Sequence, residues 1–95
     1  MYNENINNEQ LLNIIYIKTE QKLKEILELK KTKSYLNETK IAKIKENLLT
    51  VFDILSYETN DENLKNILDN LKYLIISNSN KDKETAINFC KNIRT

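Results

Sequence analysis

Glycine, proline, histidine and tryptophan are all absent from this 95-residue sequence. Tight hairpins, left-handed helix caps and phosphate-binding loops depend on glycine, and proline punctuates loops and strand edges, so their absence favours helices joined by short polar turns. The lack of histidine excludes phospho-histidine transfer, histidine metal ligation and histidine-based catalytic triads. We therefore expect an all-α protein that is not an enzyme and that uses no metal and no cofactor.

Cysteine, net charge and long apolar runs are also scarce. Cys90 is the only cysteine, so an intrachain disulfide is excluded and a reducing compartment fits. Fifteen Lys and Arg nearly balance fourteen Asp and Glu, a net charge of +1 that does not favour nucleic acid. The longest apolar runs, residues 14–17 and 74–76, are too short for a membrane span. We expect a cytoplasmic protein with no nucleic-acid partner and no membrane span.

Apolar residues recur at helical spacing in four segments. We expect Asn37 to cap helix two, a Thr59-x-x-Glu62 capping box to begin helix three, and a left-handed asparagine within residues 77–80 to end it. Helix one is predicted from Asn8 to about Lys33, helix two ends near Tyr57, and helix four begins near Lys81. The predicted inward residues are Leu12, Ile15, Leu23, Ile26, Leu27, Ile41, Ile44, Leu48, Val51, Phe52, Leu55, Leu64, Ile67, Leu68, Leu71, Leu74, Ile75, Ala86, Phe89, Cys90 and Ile93.

Short connections between these segments require neighbouring helices to run antiparallel. The sequence therefore predicts an antiparallel up-down-up-down four-helix bundle, one domain over residues 1–95, with a short flexible leader at about residues 1–8. The fourth helix has the fewest inward apolar residues, so we expect it to be held least tightly and to fray at Thr95.

Seven apolar residues fall outside the inward stripes and are candidates for partner binding. They are Ile14, Ile17, Leu49, Ile54, Tyr57, Tyr73 and Ile76. One interpretation is an exposed surface that binds an amphipathic helix of a partner protein; the other is a core wide enough to include these residues. Tyr2 in the leader could fold back as a cap over an apolar groove, or belong to a frayed terminus.

Charge is divided between the two ends of the predicted bundle. Residues 18–45 carry nine Lys and four Glu, whereas residues 46–69 carry six acidic residues and one lysine. The antiparallel arrangement predicts one lysine-rich end, which either steers an acidic partner or is simply solvated. Its predicted members are Lys30, Lys31, Lys33, Lys40, Lys81 and Lys83. The opposite end is predicted to gather Asp53, Glu58, Asp61 and Glu62.

Two stretches of the chain resemble the flagellin-specific export chaperone family. The opening Met1-Tyr2-Asn3 and the following Glu9-Gln10-Leu11-Leu12 and Ile15-Tyr16 are similar to that family's tyrosine-bearing leader and first helix. Residues 77–84 match in spacing its turn between helices three and four, which carries Asn, Asp and Glu. The apolar positions of the last helix follow the same family pattern: Ala86, Phe89, Cys90 and Ile93.

The resemblance implies a cytoplasmic export chaperone that binds the C-terminal amphipathic segment of flagellin and prevents premature polymerisation. In this hypothesis the seven outer apolar residues cover the partner's apolar face, and the protein is a monomer or a weak homodimer. Two alternatives remain open from the residues themselves. One is a bacteriocin immunity protein of the four-helix type, and the other is an adaptor bundle that self-associates through its outer residues.

Overall fold

Four helices account for most of the chain. The computed structural model describes residues 8–93, and α-helices make up 87% of them, with no strand among the described residues. The helices are α1 (Asn8–Leu29), α2 (Tyr35–Glu58), α3 (Glu62–Ile76) and α4 (Asn80–Ile93). The all-α prediction is confirmed. The predictions for the leader, for Tyr2 and for Thr95 lie outside the described residues.

The helices pack as a ring in chain order. Within residues 8–93, extensive interfaces join α1 to α4, α2 to α3, α3 to α4 and α1 to α2, in decreasing order of extent. This pairing places α1 diagonally across from α3 and confirms the four-helix bundle. The most extensive interface is the one between α1 and α4, so the expectation that the last helix is held least tightly is wrong. Lys83 and Ile87 are buried and extend its inward face beyond the predicted positions.

The core contains most of the predicted inward residues, with a few differences. Val51 was expected inside but is 40% exposed, whereas Tyr16 was not assigned to the core and is only 4% exposed. Burial raises the pKa of the Tyr16 hydroxyl, and the neighbouring Cys90 raises it further. The buried apolar residues are Tyr16, Leu23, Ile26, Leu48, Phe52, Leu68, Leu71, Ile75, Ala86, Ile87 and Cys90.

The helix ends use side-chain oxygens and extended residues. No described residue has a positive φ, so the prediction of a left-handed asparagine is wrong; α3 ends instead at extended Ser77, with φ −57° and ψ 144°. α2 begins at Tyr35 because the Ser34 hydroxyl accepts a hydrogen bond from the Asn37 amide at 3.0 Å. The Asn37 side chain, predicted to be the cap, donates to the Leu29 and Thr32 carbonyl oxygens at 3.1 and 2.9 Å.

The capping box predicted before α3 is replaced by an aspartate cap. The Asp61 carboxylate accepts hydrogen bonds from the Asn63 and Leu64 amides at 2.9 and 3.3 Å, while the Thr59 hydroxyl accepts one from the Asp61 amide at 3.1 Å. A carboxylate one residue before the helix can accept hydrogen bonds from these amides, and the positive end of the helix dipole stabilises its negative charge. Asp61 therefore outcompetes Thr59 for the cap.

Asp61→Ala is expected to lower the free energy of unfolding by about 1 kcal/mol, because the first-turn amides of α3 lose their acceptor. Asn60→Ala, on the neighbouring exposed residue, should change it by less than about 0.5 kcal/mol. Urea denaturation followed by circular dichroism measures both. Equal effects of the two variants would contradict the aspartate cap.

The two central helices differ in length, and this opens the bundle at one end. α2 has 24 residues and α3 has 15, about 36 Å against about 22 Å at 1.5 Å per residue. Their other ends are joined by the short turn at residues 59–61, so the first turns of α2 extend beyond the end of α3. None of the described helices is both long and apolar enough to cross a bilayer.

Candidate functional site

Six of the seven candidate partner-binding residues are exposed. Tyr57 and Tyr73 are the most accessible, at 90% and 70%. Leu49 differs because it is half-buried and packs against the core. The exposed residues of the predicted set are Ile14, Ile17, Ile54, Tyr57, Tyr73 and Ile76.

These residues do not form one continuous surface. Ile14 and Ile17 lie on α1, whereas Tyr73 and Ile76 lie on α3, and the ring places α1 and α3 diagonally opposite. Exposed side chains on diagonal helices point in different directions. The structure therefore divides the predicted set into separate faces.

One of these faces lies along the seam between α1 and α2. The hydrogen bond from Asn37 to the Leu29 carbonyl sets the antiparallel register of the two helices. Asn37 reaches α1, and Leu29 lines a shared groove with Ile41 and Ala42 of α2. Helical periodicity therefore places Val51, two heptads after Asn37, toward α1, and Leu11, five turns before Leu29, toward α2. Counted from this bond, Leu11 and Val51 lie within about one turn of each other along the bundle axis.

Ile14 follows Leu11 by three positions, and Ile54 follows Val51 by three positions. Both side chains therefore continue the same surface away from the core. All four side chains are exposed by between 40% and 53%. The interface between α1 and α2 is the least extensive of the four, which explains why aliphatic residues on both sides remain open to solvent. We call this surface the α1–α2 apolar patch: Leu11, Ile14, Val51 and Ile54.

Sequence reasoning identified two members of the patch and missed the other two. Val51 was assigned to the core because its helical position is near Leu48 and Phe52, and Leu11 was not assigned. The signal was present in the turn between helices one and two, because antiparallel register brings the start of α1 beside the end of α2. Helical projection of each helix alone does not contain this information.

The seam between α2 and α3 has a different character. The Lys72 ammonium lies 2.8 Å from the Asp53 carboxylate across it and 3.4 Å from that of Asp69 on its own helix. The hydrogen bond that the Lys72 ammonium donates to Asp53 raises the pKa of Lys72. Ile76 lies near this seam, one turn beyond Lys72, while Tyr73 lies on the outer side of α3. An ion pair therefore separates Ile54 from the apolar residues of α3.

The predicted lysine-rich end is present, but its organisation was not predicted. Lysines from α2, from α4 and from the turn after α1 donate to oxygens at the end of α3 and in the following turn. The Lys30 ammonium donates to the Asn78 carbonyl at 2.7 Å, and that of Lys45 to the Asn78 side-chain oxygen at 3.1 Å. The Lys83 ammonium donates to the Ser77 carbonyl. Lys45 was not among the predicted members, and Lys31 instead pairs with Glu28 at 3.2 Å.

Lys83 is the least expected residue of this end because its side chain is fully buried. The pKa of Lys83 is lowered to about 8, first by burial and then by the positive charges of Lys45 and Lys30, against a smaller opposing effect of Asp82. Lys83 was assigned to the lysine-rich end and was not among the predicted inward residues. The helical spacing from Lys83 to the buried Ala86, Ile87 and Cys90, at three, four and seven residues, was the signal that placed it inside.

An open groove lies beside this lysine cluster. It has a volume of about 480 Å³ and exists because the first turns of α2 extend past the end of α3. Apolar side chains of α1 and α2 line it together with three lysines and one acidic residue, Glu38. We call it the lysine groove, defined by Leu29, Lys30, Lys33, Ile41, Ala42 and Lys45.

Comparison with known proteins adds no relative: the chain matches no protein-family model, no curated protein and no solved structure. The resemblance to flagellin export chaperones stays a prediction. The α1–α2 apolar patch and the lysine groove are therefore the features on which a function can be argued.

Proposed function

We propose that this protein is a cytoplasmic export chaperone that binds the C-terminal amphipathic segment of flagellin and prevents its premature polymerisation. The class of function, binding of an amphipathic helix, is supported by one observation, the α1–α2 apolar patch. The identity of the partner is supported by the resemblance of residues 1–16 and 77–93 to the flagellin chaperone family.

The patch has the form that an amphipathic helix requires. Two adjacent antiparallel helices leave a shallow groove between them, and a third helix can place residues at i, i+3, i+4 and i+7 along it. Leu11 and Ile14 lie on one side of that groove, and Val51 and Ile54 on the other. Contiguous exposed aliphatic residues on a small protein are typical of an interaction surface.

The mechanism is burial of one apolar face by another. Each aliphatic side chain removed from water contributes about 25 cal/mol per Å² of apolar area, so four half-exposed residues and their counterparts supply a large part of a micromolar affinity. While the partner's apolar stripe lies on the patch, it is not available to other copies of the partner. Release of the partner needs no chemical step.

Ile54→Lys is expected to weaken binding of a flagellin C-terminal peptide at least tenfold, because the variant places a charge in the centre of the apolar contact. Tyr73→Lys is the matched variant: it puts the same charge at an exposed apolar position of α3, outside the patch. We expect it to change the affinity less than threefold. Isothermal titration calorimetry of the full chain measures both, with helicity checked by circular dichroism.

Three outcomes would redirect the proposal. No heat and no complex with the wild-type protein would exclude flagellin as the partner. A loss of affinity with Tyr73→Lys and none with Ile54→Lys would move the binding surface to α3. A stable homodimer in light scattering that dissociates in Ile54→Lys, without peptide binding, would assign the patch to self-association.

A further inference from the structure

The lysine groove combines an apolar floor with a cationic rim. Leu29 from α1 and Ile41 and Ala42 from α2 supply its apolar surface. Lys30 and Lys33 approach from the connection between α1 and α2, and Lys45 from α2. The volume, about 480 Å³, falls within the range of small-molecule sites, roughly 300–1,000 Å³.

Among the residues that the structure describes, the three lysines of this rim have no anionic partner. Within residues 8–93 the ion pairs lie elsewhere, for example between Lys43 and Glu46, and Lys30, Lys33 and Lys45 take part in none. Lys30 and Lys45 donate to neutral oxygens of Ile76, the last residue of α3, and of Asn78 in the following turn. Each ammonium has three N–H donors.

The positive charges of the rim also repel one another. Burial lowers the pKa of Lys45, and the charge of Lys30 lowers it further. Behind the rim, the buried Lys83 adds a further ammonium. Among the described residues that line the groove, Glu38 alone is acidic. An anion bound between these lysines would relieve this repulsion.

We propose that the lysine groove binds a small amphiphilic anion. A carboxylate or phosphate head pairs with the ammonium groups of Lys30, Lys33 and Lys45, and a hydrocarbon body lies against Leu29, Ile41 and Ala42. The hydrocarbon body is needed as well as the charged head, because the lining is mainly apolar and a bare anion would leave most of the groove uncovered. The site is independent of the α1–α2 apolar patch, whose residues Val51 and Ile54 lie near the other end of α2.

The test uses octanoate and octyl phosphate as probes, each below its micelle concentration, titrated into the isotopically labelled full chain. We expect saturable changes in the amide NMR signals of Leu29, Ala42 and Asn78. Octylammonium tests whether a negative charge is required, and acetate tests whether a hydrocarbon chain is required. Neither probe should cause saturable changes in these signals. Binding of either octyl anion supports the site, and the tighter of the two identifies the preferred head group.

Lys33→Gln is the main test variant because its ammonium makes no hydrogen bond or ion pair within residues 8–93, so the fold is not expected to change. We expect it to weaken octanoate binding about fivefold, and Lys45→Gln to weaken it at least as much. Lys40→Gln removes the same charge from an exposed position of α2 outside the lining and should change the affinity less than twofold.

Two results would overturn the proposal. One is equal response to octanoate and octylammonium, which would leave only nonspecific apolar binding. The other is an equal effect of Lys33→Gln, Lys45→Gln and Lys40→Gln, which would leave only the general positive charge of this end. Ile54→Lys should leave octanoate binding unchanged, so failure of this site and failure of the proposed chaperone function are distinguishable.

Discussion

Phe52→Ala is expected to lower the free energy of unfolding by about 3–5 kcal/mol. Phe52 lies in the second half of α2, is completely buried, and belongs to the core cluster that also contains Leu48, Leu68 and Leu71. Truncation removes the transfer free energy of the ring and leaves a cavity that neighbouring side chains fill only in part. Because a domain of this size is stable by roughly 5–15 kcal/mol, the loss is a large fraction of the total.

Tyr57→Ala provides the matched control, since it removes an aromatic ring from the same helix at a position that is 90% exposed. We expect a change of less than about 0.5 kcal/mol. Urea unfolding followed by circular dichroism at 222 nm gives both values. If the two substitutions destabilise the protein equally, α2 does not present the face to the core that the structure assigns to it.

The number of helices and most of the core could be predicted from the sequence, because both depend on local information. In α3, Leu68, Leu71 and Ile75 recur at helical spacing and are all buried. The absence of glycine and proline favoured helices throughout, and residues 8–93 form four of them. These features do not require knowledge of which helix packs against which.

The helix ends were predicted less well, because several neighbouring side chains compete for the same amides. Ser34 and Asn37 are both good capping residues, and so are Thr59 and Asp61. In each case the sequence rule selected one residue and the structure uses the other. Asn37 is then free to join the two helices through the Leu29 and Thr32 carbonyl oxygens, a role that no local pattern indicates.

Exposure of the outer apolar residues could be predicted, but their grouping could not. Projection around a single helix shows that Ile14, Ile54 and Tyr73 point away from the core. The order of helices in the ring decides that the first two lie near one seam and the third lies elsewhere. The lysine groove depends similarly on the unequal lengths of α2 and α3. This difference in length predicts a groove only when it is known that the two helices pack side by side.

The buried lysine makes the stability of the protein depend on pH. Lys83 has a pKa of about 8 in the folded protein, against 10.5 for an ordinary lysine. Between these two values the unfolded chain retains a proton that the folded protein has released. Since the unfolded state then binds more protons, the free energy of unfolding contributed by this group rises with pH. Below about pH 8 both states are protonated, and the cost of burying the charge is present in full.

Lys83→Met removes this dependence while retaining a side chain of similar length. Relative to Lys83→Met, the wild-type protein should gain about 2 kcal/mol of stability between pH 7 and pH 10. Tyr16, whose pKa is raised by burial, opposes this gain near pH 10, but it is present in both proteins and cancels in the difference.

Lys81→Met, at an exposed position of the same helix, should give a difference that stays flat over this range. Urea unfolding of the three proteins at each pH measures the effect, and NMR titration of the Lys83 ε-carbon gives its pKa directly. An ε-carbon that titrates near 10.5, together with a flat difference for Lys83→Met, would show that Lys83 reaches solvent. Titration near 8 would instead establish that the turn after α3 holds this ammonium inside the bundle, so that its release of a proton strengthens the end of the fold where the lysine groove lies.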